Sequence, residues 1–508
     1  MLLYPFFPFY VGADHHIGYC RGVSHLENAT QRTILFLIAD TGAGHRSAAN
    51  AISNAMKIIS QREQEAWRAS LMVKPAGVEQ GSVLMASPEA SAIVAPPPTY
   101  RLEIVDVFEE YSRFPLREAV KLYGPTIRYN PKLYGQFFHS SNREGTVLSV
   151  NTLATPLILN GLLRLFTSVQ PDVIVSIHPL LNFVTVQALR KLGLPIPFLT
   201  VVTDLVSVHY SWFSPGVDGY IVPTEQARQL YLRRGLDPQR VQMLGMPIDP
   251  KFTLPTESKE ALQRKFGLQP DLPVILLAGG GDGAGGLQAA VRAISLARLP
   301  VQLMVVTGRN RRLYAQLQRT RSKLHVPAKI FGFVNNMPEL MHAADVIVTK
   351  AGPGTICEAL ACNLPIILSG YVPGQEEGNV EYVTSNDVGV LALDPSTLVN
   401  ELRRLIKPGS PDLRRRLQNA QRISRSAASF DIAQHILSYL PPTNQTSIWQ
   451  LPQSQRRQYM MSGRLRSAIR IHRLRNRLPK PLLKSSMMRR LTRLGSRELS
   501  GDATPLID

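Results

Sequence analysis

Short runs of aliphatic and β-branched residues recur along the chain, and each is followed by a polar-apolar stretch of helix length. The first series reads TILFLIA (33–39), LEIVDV, DVIVSI, FLTVVT, GYIVP and VQMLGMP. A charged connector around KFTLPTESKEALQRKFG separates it from a second: PVILLAGG, VQLMVVTG, AKIFGFV, DVIVTKAG and PIILSG. Within each run the apolar residues are consecutive rather than alternate, the pattern of a strand buried on both faces. Strands of that kind alternating with helices predict parallel sheets covered on both sides. Two series predict two doubly wound, Rossmann-like α/β domains, and 508 residues are too many for one core.

Some segments break the rhythm. Residues 60–100, ending in SPEASAIVAPPPTY, are rich in Ala, Ser and Pro and are expected to form a mobile loop after the first helix. The most apolar later stretch, TVLSVNTLATPLILNGLLRLF, is interrupted by Asn151 and Asn160, which predicts a helix packed on the sheet rather than a membrane span. The opening MLLYPFFPFYVG contains two prolines and lacks a basic start and a small-residue cleavage site, so it does not read as a signal peptide. Boundaries follow: an extension at 1–32, a first domain at 33–248, a second at 249–440, and a tail at 441–508.

Composition changes this picture in one respect. The formal net charge is +20, which calls for an anionic partner, but much of the excess lies at the end. No acidic residue occurs from Ala433 to Arg497. Leu483, Met487, Leu491 and Leu494 recur there at helical spacing with Arg489, Arg490 and Arg493 between them, compatible with an interfacial helix or with a solvated basic extension. A second candidate for lipid contact, FPLREAVKLYGPTIRYNPKLYGQFF, interleaves aromatic and basic residues. No nucleic-acid module accompanies the charge, so nucleic acid is not the expected partner. Cys20, Cys357 and Cys362 have neither metal-ligand nor disulfide-framework spacing, which fits a reducing compartment.

Candidate chemistry sits at three glycine turns. In open α/β sheets, ligands bind beyond the carboxyl ends of strands, where helix N-termini offer free amides. DTGAGH carries Gly42, Gly44 and His45 after the first strand. GGGDGAGG, with Gly279, Gly280, Gly281, Asp282 and Gly283, opens the second domain. It lacks the Lys and Ser or Thr of a phosphate loop, and no acidic residue ends the next strand. TKAGPGTICEAL offers Gly352, Pro353, Gly354 and Thr355 at a helix start, with Glu358 one turn on to accept from ribose hydroxyls or simply to face the helix dipole. A polar group, Gln375, Glu376 and Asn379, follows the next strand and suits sugar hydroxyls or a solvated loop.

These segments, with VVTDLVSVHYSWFSPGVDGYIVPTE and GMPIDPKF in order between them, resemble the monogalactosyldiacylglycerol synthases, relatives of the processive diacylglycerol glucosyltransferases. The resemblance covers about residues 33–435. It implies a GT-B glycosyltransferase: an acceptor-binding first domain, a nucleotide-sugar-binding second domain, and a C-terminal helix that crosses back. By matching position, the glycines at 279–283 and Gly352 to Thr355 would contact the UDP diphosphate. Phe333, Val334 and Met337 would receive uracil, Glu358 the ribose, and Gln375 and Glu376, with Asn379 beside them, the sugar; Gly308 and Arg309 lie on the same side. The implied reaction transfers galactose from UDP-galactose to the sn-3 hydroxyl of 1,2-diacylglycerol with inversion. UDP-glucose as donor, or a binding protein without turnover, stay open.

His45 is the candidate general base, with a carboxylate such as Asp40 to orient it; imidazole has the right ordinary pKa for base work near neutrality. Capping or anion binding at the turn is the alternative. Pro115, His178 and His209 are candidates to line the acceptor side. No Asp-x-Asp pair occurs, so no metal is expected, and helix N-termini would meet the leaving diphosphate. The chain departs from the plant enzymes in GGGDG for GGGEG and in Gln187, where they carry an arginine. The expected location is peripheral, on the cytoplasmic face of a membrane with anionic lipids.

Overall fold

The computed structural model describes residues 30–40, 43–72, 95–122, 126, 130–254, 257–280, 286–452 and 454–456. The first sheet contains β1 (Gln31–Ile38), β2 (Thr99–Asp106), β3 (Val173–Ser176), β4 (Phe198–Val201), β5 (Gly219–Val222) and β6 (Val241–Met243). All neighbours are parallel, in the order β2-β1-β3-β4-β5-β6. The second contains β7 (Val274–Ala278), β8 (Gln302–Val306), β9 (Ala328–Phe331), β10 (Val346–Lys350), β11 (Ile366–Gly370) and β12 (Gly389–Leu391). It too is parallel, in the order β12-β11-β10-β7-β8-β9.

The consecutive apolar runs are divided between two layers, as strand geometry requires. On β1, Leu35 and Leu37 pack with Phe166 and Val184 on one face, while Ile34, Phe36 and Ile38 pack with Ile52 and Met56 on the other. On β7, Val274 and Leu276 join one layer, and Ile275 and Leu277 join the opposite one. Each such side chain taken out of water contributes about 1.5–3 kcal/mol, which holds the helices on both faces of each sheet. The fold class read from the sequence is therefore the one observed. The sixth strand of the second sheet, β12, was not among the expected runs.

Strand order creates the site. The chain winds from β1 to β2 on one side and then crosses to β3 on the other; in the second sheet the same reversal separates β7 from β10. At such a reversal the flanking connections part and leave a crevice at the carboxyl ends.

The expected loop at 60–100 is corrected at both ends. The first helix runs Ala43–Met72, and β2 begins at Thr99. The stretch QREQEAWRASLM is built mostly from good helix formers, its alanines included, and that propensity carries the first helix on to Met72.

The helix Ala428–Leu437 returns to the first domain, where Ile432, Ala433 and Ile436 join the layer beneath β1. The tail boundary at 441 also needs correction. Buried Arg32 donates to the carbonyls of Pro442 (2.8 Å) and Gln445 (2.6 Å), and the Trp449 indole donates to Pro171 O at 2.9 Å. Residues 442–449 are thus part of the first domain's underside. The Leu483–Leu494 stripe lies outside the described residues.

The helix Glu144–Val169 is long and apolar enough to cross a membrane by length and composition. Its second half is nevertheless a core element: Ile158, Leu162, Leu165 and Phe166 are buried against the first sheet.

Candidate functional site

At the first reversal, the turn after β1 delivers His45 to the start of the helix Ala43–Met72, and the turn after β3 delivers His178. The two imidazoles meet edge to face with centroids 4.8 Å apart, and Phe108 packs edge to face on His178 at 5.5 Å. His178 is buried and is held well below its ordinary pKa, first by burial and then by the neighbouring His45. It therefore forms the floor under His45 and not an open wall of the cleft, as expected from sequence. His45 is lowered to about 4: burial outweighs the Ala39 carbonyl, Asp40 and Asp106, all of which favour the protonated ring. At neutral pH it is an uncharged imidazole, the form that accepts a proton.

The expected orienting role of Asp40 is not what the structure shows. Its carboxylate is paired with the Arg46 guanidinium at 2.7 Å, and its backbone N–H donates to Asp106 at 2.8 Å. Asp106 also caps the helix Val107–Tyr111 by accepting from the amides of Phe108 and Glu109. Asp40 and Asp106 thus act on His45 through space. Gly44 is exposed beside it, whereas Gly42 lies outside the described residues.

Pro115 is exposed at the start of the helix Leu116–Lys121, next to Phe114. His209 is a clamp: its ring contacts Ser211 Oγ (2.7 Å) and Ser141 Oγ (3.2 Å) and packs on Phe138 at 5.0 Å. Burial, followed by Arg234, lowers it to about 4. Its committed contacts assign it to holding the helix Pro131–Ser141, not to lining an open pocket.

At the second reversal, Gly279 and Gly280 follow β7, and Gly352 caps the helix Pro353–Ala361 without a side-chain cap bond. The amides of Gly354 and Thr355 begin that helix, where the aligned peptide dipoles favour an anion. Gly281, Asp282 and Gly283 lie outside the described residues. A residue of the TKAGPGT motif to which the sequence assigned no role sits between the two turns. Lys350 ends β10, and its side chain runs so close that a Cβ on Gly280 would lie 3.4 Å from its Cε and one on Gly352 3.5 Å from its Nζ. A cation is therefore already present where two glycine turns converge.

Lys350 Nζ is bound by Glu376 Oε1 at 2.5 Å, and Glu376 Oε2 accepts from the Val372 amide at 2.9 Å. Glu376 is buried, and both of its oxygens are engaged within the protein. In this arrangement it holds Lys350. Asn379, also buried, donates to Ala351 O at 2.8 Å and so braces the glycine turn against the helix Glu377–Ser385. Gln375 accepts a hydrogen bond from Tyr134 of the first domain at 2.9 Å. Glu358 has its carboxyl pushed up to about 7 by burial and then by Asp249.

Beyond β8 and β9, Gly308 turns the chain at φ +60° and the Arg309 guanidinium lies over the Phe333 ring at 5.3 Å. Phe333 is exposed, whereas Val334 and Met337 pack into the second core behind it. The pair offers a flat platform of the kind on which a nucleobase stacks. A cavity of about 700 Å³ opens at the amino ends of β8 and β9, lined by Gln302, Arg321, His325 and Lys329, away from the carboxyl-end glycine turns. Among the described residues no group of three or more His, Cys, Asp or Glu side chains is arranged to hold a metal ion.

Two family models match in succession: Monogalactosyldiacylglycerol (MGDG) synthase over residues 96–248, and Glycosyltransferase family 28 C-terminal domain over residues 274–436. The chain is 33% identical over 428 residues to the probable monogalactosyldiacylglycerol synthase 2, chloroplastic, of Oryza sativa subsp. japonica, covering 82% of this chain and 83% of the relative. It is 32% identical over 414 residues to the monogalactosyldiacylglycerol synthase 3, chloroplastic, of Arabidopsis thaliana, covering 80% and 81%. Among solved structures, MurG of Acinetobacter baumannii superposes with a TM-score of 0.47 at 14% identity, covering 80% of this chain and 99% of that one.

Proposed function

The chain belongs to the monogalactosyldiacylglycerol synthase family, a family of glycosyltransferases, and from that premise we propose that it transfers galactose from UDP-galactose to the sn-3 hydroxyl of 1,2-diacylglycerol with inversion. The observation that carries the reading is the division of labour between the two strand reversals. One holds a neutral imidazole, the other a lysine between two glycine turns. His45 takes the proton of the acceptor hydroxyl as that oxygen attacks the anomeric carbon. The bond from that carbon to the UDP oxygen breaks, and the charge left on the diphosphate faces Lys350 and the free amides of Gly354 and Thr355.

On this reading Arg309 and Phe333 receive the base, Glu358 accepts from the ribose hydroxyls, and Gln375 meets the sugar. Because a lysine and a helix N-terminus supply the positive charge, turnover should withstand chelation by EDTA.

The acceptor is a lipid, and the insert between β2 and β3 supports contact with a membrane surface. Phe114, Leu122, Leu133, Phe137, Val150 and Leu153 are all exposed there, at 42–80% of their full area, within a basic chain. Large apolar groups beside cations favour an interface carrying anionic lipids. Peripheral attachment to the cytoplasmic face follows as part of the proposal.

The test is an assay of purified protein on diacylglycerol liposomes with UDP-galactose and UDP-glucose in parallel, the product linkage read by NMR. A β-linked galactolipid is expected. Turnover of UDP-glucose alone would reassign the donor, and turnover of neither would remove the transferase reading.

A further inference from the structure

The helix Pro131–Ser141 belongs to the first domain, yet its inner face lies on the turn of the second domain that carries Gln375. The approach is close because glycine stands on both sides. A Cβ on Gly135 would lie 2.9 Å from the Cβ of Pro373, and one on Gly374, at φ +79°, would lie 3.1 Å from Phe138 Cδ1. Tyr134 and Phe138, one turn apart, are buried on this face, and Leu133 and Phe137 are exposed on the outer one. The helix is fixed at its end to its own domain by Ser141 and Phe138 against His209. Toward the second domain, His139 pairs with Glu377 at 3.6 Å, and the Tyr134 hydroxyl donates to Gln375 Oε1 at 2.9 Å.

We propose that Tyr134 is a donor-positioning residue supplied across the cleft by the acceptor domain, which sets the Gln375 side chain for reading the sugar of the nucleotide donor. The inference rests on the proposed UDP-sugar site and deepens it. A side-chain amide has an acceptor end and a donor end of nearly equal shape, and only its partners decide which way it faces. Here the Tyr134 hydroxyl, carried on a helix packed closely against the turn, donates to the amide oxygen at 2.9 Å and so holds the carbonyl toward Tyr134. Sugars that differ in the direction of one hydroxyl are told apart only if that amide is held, because a freely turning amide satisfies either epimer.

The same contact makes the donor pocket depend on the acceptor domain. Without the Pro131–Ser141 helix seated on the Pro373–Gln375 turn, the second domain retains its glycine turns and base platform, and so its affinity for UDP, but loses the Tyr134 hydrogen bond to the Gln375 amide.

The test compares wild type and Tyr134→Phe, which keeps the ring in place and removes one oxygen. Calorimetry with UDP and with UDP-galactose, and kcat and KM with UDP-galactose and UDP-glucose, are measured on both. Expected are unchanged UDP affinity, UDP-galactose binding weakened about fivefold, as one neutral hydrogen bond warrants, a rise in KM with little change in kcat, and a smaller preference between the two donors. Equal loss of UDP and UDP-galactose binding would assign Tyr134 to packing and overturn the proposal. So would wild-type behaviour in every readout. Should wild type itself bind neither UDP-sugar, the underlying donor-site reading fails instead.

Discussion

The imidazoles of His45 and His178 lie edge to face, 4.8 Å apart, one at the end of β1 and the other at the end of β3. They are brought together by the reversal of strand order between these neighbours, and the inner ring helps keep the outer one dry. Burial holds His45 at about 4. A base so placed loses some proton affinity but stays uncharged near neutral pH.

That places a limit on the pH dependence of turnover. With donor saturating, kcat reports groups in the complex, so it should remain nearly flat from pH 8 down to about 5.5 and fall only on approach to the His45 value. A midpoint near the ordinary imidazole pKa of 6.5 would contradict the buried base. Donor KM should behave differently. Glu358, raised to about 7, is a carboxylate above that value and a neutral acid below it. KM for the UDP-sugar should therefore rise as pH falls through 7, and Glu358→Gln should remove the dependence while leaving the kcat profile alone.

Lys350 and Glu376 separate stability from function. Lys350→Met leaves a buried carboxylate without its cation, a loss of the kind that costs about 3–5 kcal/mol when a pair is fully buried and less here, where the ammonium is partly exposed. The double variant Lys350→Met/Glu376→Gln should recover most of the melting temperature. Donor affinity should not recover, because the charge between Gly280 and Gly352 is still missing. Recovery of both in the double variant would reduce Lys350 to a structural partner.

The end of the chain has two parts with separate consequences. Truncation after Leu440 removes the carbonyls that hold Arg32 and the indole bonded to Pro171, and should lower the melting temperature by several degrees or more. Truncation after Arg456 keeps these contacts. It should leave melting and soluble-acceptor turnover unchanged while weakening binding to anionic vesicles, more so at low salt. Equal melting of the two truncations would contradict the docking of residues 442–449.

The apolar runs made both sheets legible because a strand buried on two faces must be apolar at every position. β12 escaped notice because it is only three residues and begins at Gly389, inside a short run, Val388 to Leu393, bounded by Asp387 and Asp394. The glycine turns were visible, and so was His45, since the residue after a glycine turn stands at a helix start whatever the rest of the fold does. What escaped were the pairings. Lys350 meets Glu376 across 26 residues, and Tyr134 meets Gln375 across 241. No local pattern announces a contact whose partners come together only when two sheets and two domains have packed. The same holds for Trp449, which reads as tail but is core; Asp40 differs, since its partner Arg46 is only six residues away and competes locally with His45 for the carboxylate.

The account stands most directly on His45 as the base of the acceptor side, and the deciding measurement pairs transfer with donor binding in His45→Ala. Galactose transfer to diacylglycerol on liposomes should be nearly abolished, by about 10²–10⁴-fold for a lost general base, while calorimetric affinity for UDP remains that of wild type. Substantial transfer without the imidazole, or a parallel collapse of UDP affinity, would contradict the assignment of proton transfer to the first strand reversal and the nucleotide to the second.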